Sequence, residues 1–176
     1  MKLILRGKIE GENGMKKMIA VCLALMMALS MAACKKKKSK KKDIDDIKSI
    51  DGIMLKVSSA SYELQDPNYD QWTGGVFYVR YDGTLECTEY WSISDNKEYS
   101  TVLSDSDLMD VYEFCQEYGD GEKLKDYEEQ AADGEKLEFT YIDEDGEEHF
   151  IYFGYCYQNE ALWNLYTRLG SYIRNL

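Results

Sequence analysis

GGVFYVRYDGTLECTEYW, Gly74 to Trp91, reads as a β-hairpin closed at Asp82-Gly83, and its register can be argued from the side chains alone. A two-residue turn would set Arg80 against Leu85 and Tyr78 against Cys87, mixing polar and apolar groups on one face. A three-residue loop with Gly83 in the left-handed position instead pairs Val79 with Leu85 and Phe77 with Cys87. It gathers Tyr78, Arg80, Glu86 and Thr88 on the opposite face. A one-residue slip would turn every side chain over, so the clean alternation selects the longer loop.

Outward from this hairpin the same grammar recurs. KLEFTYIDEDGEEHFIYFGY, Lys136 to Tyr155, turns at Asp145-Gly146. The same loop type pairs Phe139 with Ile151 and Leu137 with Phe153, leaving Glu138, Thr140, Phe150 and Tyr152 outside. Each hairpin is followed by a helical pattern. The first has Ser104 as N-cap, Asp107 in place of a capping-box Glu, Leu103 stapled to Leu108, and Gly119 at the C′ position. Its apolar stripe is Leu108, Val111, Tyr112, Cys115 and Tyr118. The last helix starts near Asn159 and buries Leu162, Leu165, Tyr166, Leu169 and Ile173. The expected fold class is α+β: one small domain, residues 44–176, with a mostly antiparallel sheet of about four to five strands. Two helices cover one face, in the order hairpin, helix, hairpin, helix.

Before this domain the chain changes character. MKKMIAVCLALMMALSMAAC, Met15 to Cys34, has two lysines, an apolar run and small residues before a cysteine, the layout of a secretory signal. Met18 to Ala33 is about 16 residues, short of the roughly 20 a membrane-spanning helix needs. Met31-Ala32-Ala33-Cys34 resembles the lipobox of bacterial lipoproteins, with Met where that pattern prefers Leu. The resemblance implies that residues 15–33 are a signal peptide and that Cys34 becomes the first mature residue, bearing a diacylglycerol. Residues 1–14 are expected to be an over-extended start, with translation beginning at Met15. Residues 34–43 form the anchor and a disordered, lysine-rich tether.

Charge divides at the same place. Residues 1–42 hold 12 Lys/Arg and 2 Asp/Glu, a charge of +10, whereas residues 43–176 hold 9 and 31, a charge of −22. Beside a lipidated cysteine the seven lysines of Lys35–Lys42 would lie at an anionic membrane surface, each contributing up to about 1 kcal/mol. A body of −22 repels nucleic-acid phosphates, so no nucleic-acid partner is expected. The partners expected are membrane lipid, through Cys34 and the tether, and an unidentified protein or glycan. A monomer on the extracytoplasmic face of the cell membrane is expected.

Chemistry is sparse in the body. His149 is the sole histidine, and no G-x-S-x-G, P-loop or H-E-x-x-H is present, so neither catalytic residue nor cofactor is assigned. Asp143 and Asp145 at the second turn are weak cation candidates, and a solvated turn explains them equally. Cys87 and Cys115 both point to the expected core and are the pair for a disulfide, if one forms; buried free thiols are the alternative. Cys156 is placed on the opposite face. All 15 Tyr, 3 Trp and 5 Phe fall after residue 42. Tyr78, Tyr90, Phe150, Tyr152 and Trp91 would lie on or border the sheet face away from the helices, a candidate binding surface. Alternatively the segment containing IMLKVSS and Trp72 folds over that face.

With its tether, the domain looks like the small acidic lipoproteins of low-GC Gram-positive bacteria. Gly74-Gly75 before a strand, the Asp82-Gly83 turn, the Leu103-Ser104 helix start and the Asp145-Gly146 turn also resemble emfourin, an inhibitor of thermolysin-type metalloproteases. That likeness covers roughly residues 74–174 and rests on turn and cap signals, so it implies a scaffold and an inhibitor role but no inhibitory residue. The function expected is a nonenzymatic binding module for a protein or cell-envelope glycan. The alternatives are a carboxylate-based glycan hydrolase or a protease inhibitor.

Overall fold

The computed structural model describes residues 42–61, 66–131 and 133–176. Residues 1–14, the expected signal peptide at 15–33, Cys34 and the lysines up to Lys41 lie outside the described residues. The described chain runs α1 (Ile44–Lys48), β1 (Ile53–Ser61), β2 (Trp72–Arg80), β3 (Thr84–Trp91), β4 (Lys97–Val102), α2 (Asp105–Tyr118), β5 (Glu135–Ile142), β6 (Glu148–Gly154) and α3 (Glu160–Arg174). All neighbouring strands are antiparallel, in the order β4-β3-β2-β1-β5-β6. Among the described residues no helix is long and apolar enough to cross a membrane.

The α+β expectation holds, with six strands in place of four or five. The IMLKVSS segment does not cover the outer face; it is β1, inserted between the two hairpins at the centre of the sheet. Its alternation of Leu55, Val57 and Ser59 inward with Lys56, Ser58 and Ala60 outward matches both neighbours. The added strand is β4, KEYSTV, whose side chains are exposed or half-buried throughout. A charged, polar strand of this kind is tolerated at an edge, where it also discourages pairing with another chain.

The first hairpin adopts the expected register, with Val79 opposite Leu85 and Phe77 opposite Cys87. Gly83 closes it at φ +93°, and its N–H donates to the Arg80 carbonyl at 3.0 Å. Arg80 and Glu86 meet across the outer face at 3.3 Å.

The second hairpin follows expectation only near its tip, where Tyr141 faces His149 and Thr140 faces Phe150. A β-bulge then intervenes, and Phe139 pairs with Tyr152 and Leu137 with Gly154. Tyr152 is therefore a core residue at 5% exposure and Phe153 is outside at 50%, the reverse of the expected arrangement. Two features favour the inversion. Gly154 has no side chain, and a Cβ there would stand 2.7 Å from the Tyr152 hydroxyl. That hydroxyl donates to the Tyr155 carbonyl at 2.5 Å, and Tyr127 packs on the Tyr152 ring with centroids 5.5 Å apart. The bulge also lets the adjacent Ile151 stay buried at 2%.

Both long helices lie on the inner face. Leu108, Val111, Tyr112 and Cys115 of α2 are buried with Leu162, Leu165, Leu169 and Ile173 of α3 in one core with Leu55, Val57, Phe77 and Phe139. Gly119 follows α2 with φ −61°, not in the left-handed region. Its glycine is required by closeness: a Cβ would lie 2.7 Å from the Tyr141 ring.

Ser104 caps α2 as expected, its hydroxyl accepting the Asp107 N–H at 3.1 Å. The Asp107 carboxylate makes no return bond to the Ser104 N–H; that N–H donates to the Tyr172 hydroxyl of α3 at 3.0 Å. Tyr172 then donates to Asp107 at 2.5 Å, tying the start of α2 to the end of α3. The Ser104 hydroxyl, followed by Tyr172 and Arg168, holds the Asp107 carboxyl below its ordinary value. A lowered carboxyl stabilises the fold fully above the unfolded value of about 3.9, and this is lost as pH falls through the folded value. Denaturant midpoints are expected to drop on acidification below about pH 4, and Asp107→Asn to flatten that part of the profile. An unchanged profile in Asp107→Asn would show that this carboxylate is not the group responsible.

Candidate functional site

Gly74 and Gly75, read from sequence as a strand lead-in, have a larger role. Gly74 has φ +154° at a bulge in β2, and a Cβ on it would collide with the Ser59 carbonyl of β1. The bulge shifts the alternation by one residue, so Trp72 pairs with Trp91 on the helix-facing side. Gly75, between Ser59 and Glu89 in the register, places no side chain on the inner face. Above it passes α3, which presents Trp163, Tyr166, Gly170 and Arg174 at helical spacing.

The gap so formed is a cleft of about 450 Å³. Phe77 and Cys87 form its floor, Trp72 and Trp91 one wall, and Trp163 and Tyr166 the other. The three tryptophans of the whole chain therefore line one cavity. A neighbouring hollow of about 380 Å³ shares Trp72, Trp91 and Glu135 and continues toward Asp70 and Tyr157. The aromatic wall is continuous, with Phe77–Tyr166 centroids 5.8 Å apart, Tyr166–Trp163 5.7 Å and Trp163–Tyr157 4.8 Å.

Two carboxylates line the cleft. Glu135 accepts the Tyr166 hydroxyl at 2.5 Å, and its backbone N–H donates to the Tyr157 hydroxyl at 2.7 Å. Glu89 accepts the Tyr99 hydroxyl at 3.4 Å. Burial, followed by the Glu135 carboxylate, pushes the Tyr166 phenol upward, so it remains a donor. The Trp91 Nε1 is buried and meets no acceptor among the described residues. Arg174 reaches the cleft from the last turn of α3.

No nucleophile is poised here. Burial, then Glu89, pushes the Cys87 thiol up to about 11, which keeps it protonated and unreactive at neutral pH. The Ser59 hydroxyl donates to the Gly75 carbonyl at 3.4 Å and the Thr167 hydroxyl to the Trp163 carbonyl at 2.8 Å. His149 is at the β5–β6 turn, at the other end of β5 from Glu135.

The candidate surface drawn from sequence is divided. Tyr78, Tyr90 and Phe150 do face away from the helices, with Phe150 61% exposed. Tyr90 on β3 and Phe150 on β6 are four strands apart, about 19 Å at the usual spacing, so they form no common patch. Trp91 belongs to the cleft on the opposite face, and Tyr152 to the core. Glu89, Glu135 and Trp163 were not singled out by sequence, and Trp72 only as part of a segment expected to cover the outer face. The available signal was the scarcity of tryptophan, which carried no indication that the three converge.

Cys87, Cys115 and Cys156 are all free and buried, so the Cys87–Cys115 pair is not joined. Cys156 is a core residue at 1% exposure, because the bulge in β6 returns the following chain to the inner side. At the second turn, Asp143 gathers Glu147 and His149, with ligand atoms within 4.8 Å of one another, and not the carboxylate of Asp145. Asp143 accepts the N–H groups of Asp145 at 3.0 Å and Glu147 at 2.9 Å, with His149 Nε2 2.9 Å from its second oxygen. Its oxygens are thus already used to hold the turn, the role a solvated hairpin requires.

Comparison with protein-family models, curated proteins and solved structures finds no match to the chain.

Proposed function

We propose that the protein is a lipid-anchored, extracytoplasmic binding module whose aromatic cleft receives part of a protein or a cell-envelope glycan. The observation that carries this reading is the convergence of Trp72, Trp91 and Trp163 on one concave site. Aromatic walls with a few oriented polar groups suit ligand recognition. The hydroxyls around the cleft are engaged with carbonyls or carboxylates, and its thiol is held protonated, which supports binding over group transfer. The basic tether and the −22 body suit a domain displayed away from an anionic membrane.

Gly170→Leu tests this reading. A side chain at Gly170 enters the cleft, and its Cβ meets only the end of the flexible Arg174 side chain, at 3.3 Å. Helix propensity favours the change by somewhat less than the roughly 0.8–1 kcal/mol that separates glycine from alanine, so the variant should fold. Wild-type residues 43–176 are expected to retain a protein or glycan from envelope extract, with a shift in tryptophan emission, and Gly170→Leu to lose both. Equal retention by the two proteins would remove the cleft from the binding site.

One observation favours the hydrolase reading: Glu89 and Glu135 line the same cavity. Release of reducing ends from envelope glycan, abolished by either Glu→Gln change, would replace binding by catalysis.

A further inference from the structure

We infer that the ligand group held in the cleft is an organic ammonium ion, a conclusion that rests on the cleft being a binding site. Aromatic faces and carboxylates together select this chemistry. Trp72, Trp163 and Tyr166 line the cleft beside Trp91, whose ring already holds the Lys97 ammonium, and aromatic rings attract a cation through their quadrupole, most strongly where water is excluded. Glu89 and Glu135, both half-buried, add formal negative charge at the same site. A neutral sugar would use the ring faces but gain nothing from the charge of these carboxylates.

Neighbouring charges cancel it only in part. Across the cleft and the adjoining hollow, Glu89, Glu135 and Asp70 face Arg174 and Lys97, leaving one negative charge in excess. The surrounding domain, at −22 over residues 43–176, raises the local concentration of cations and disfavours anions. Lys97 already shows the compatibility of these rings with an ammonium group, its Nζ standing 4.0 Å from the Trp91 centroid. The aromatic walls also accommodate the carbon skeleton that carries the ammonium. An amino alcohol or amino sugar has both features.

Because every tryptophan of the chain lines this cleft, intrinsic emission reports on it directly. The full chain, in a neutral and non-zwitterionic detergent, is titrated with two matched pairs near pH 6. Choline is compared with 3,3-dimethylbutan-1-ol, which has the same shape without charge, and glucosamine with glucose. Saturable emission changes are expected for at least one cation, with affinity about tenfold above its neutral partner. Glu135→Gln or Glu89→Gln should weaken the cation severalfold and leave the neutral compound unchanged, and added salt should act in the same direction. Preference for glucosamine assigns the ammonium to an amino sugar, and preference for choline to a quaternary amine; either supports the inference. Equal affinity within both pairs overturns it while leaving the cleft a binding site. No saturable response to either cation also overturns it, and the binding reading is then judged separately by the extract experiment with Gly170→Leu.

Discussion

Replacing Phe139 with alanine is expected to lower the free energy of unfolding by about 3–5 kcal/mol, a large share of the roughly 5–15 kcal/mol typical of a domain. Phe139 is fully buried at the centre of the inner face. It pairs with Val57 on one side and Tyr152 on the other, and its ring lies 6.2 Å from that of Phe114 on α2. Removing it therefore opens a void between β1, β6 and the helix packed on them, leaving little room for collapse. The same experiment on β6 tests the bulge. Tyr152→Ala should be strongly destabilising, whereas Phe153→Ala should fall within about 0.5 kcal/mol of wild type, as expected for an exposed site. Urea midpoints at constant slope decide the matter. A costly Phe153→Ala with a neutral Tyr152→Ala would restore the unbulged register.

Cys34→Ala is expected to abolish incorporation of a palmitate analogue and to move most of the protein from the membrane to the soluble fraction. Stable anchoring needs about two acyl chains or one chain with a basic patch, because one chain alone binds marginally. On the proposed anchor, the lipid supplies most of the attachment and the seven lysines of Lys35–Lys42 strengthen it at an anionic surface. Without lipid the lysines alone leave a weak association that salt removes, since attraction at the surface decays over about 8–10 Å. Persistent labelling of Cys34→Ala would mean that another residue carries the lipid. Unchanged labelling and unchanged fractionation together would refute the lipobox reading.

Legibility from sequence followed the range of the interactions. The first hairpin was readable because Phe77, Val79, Leu85 and Cys87 face one another across a turn whose geometry Gly83 dictates. Ser104 was readable as a helix cap and the neighbourhood of Asn159 as a helix start, because each side chain satisfies an N–H three residues on. The β6 bulge was not readable, since alternation in HFIYFG favours Ile151 with Phe153, whereas the pair finally buried, Ile151 and Tyr152, is adjacent in sequence. What distinguishes them is Tyr127, from a loop distant in sequence, and the space beside Gly154. β4 escaped notice because its hydrophobic pattern is weak, and its place is set by pairing with β3 rather than by its own burial.

By itself the sequence determined the α+β class, the first hairpin's register, the helix starts and the sharp division between a basic N-terminal stretch and an acidic body. These follow from contacts within a few residues and from summed charge. Only the tertiary structure decided that β1 joins the two hairpins, that Tyr152 turns inward, and that Trp72, Trp91 and Trp163 share a cleft. The cleft exists because a bulge at Gly74 rotates Trp72, Gly75 leaves the floor open, and α3 crosses above with Gly170 facing it. The first is local, but the other two set β2 against a helix more than eighty residues further on, so no local pattern could announce their sum.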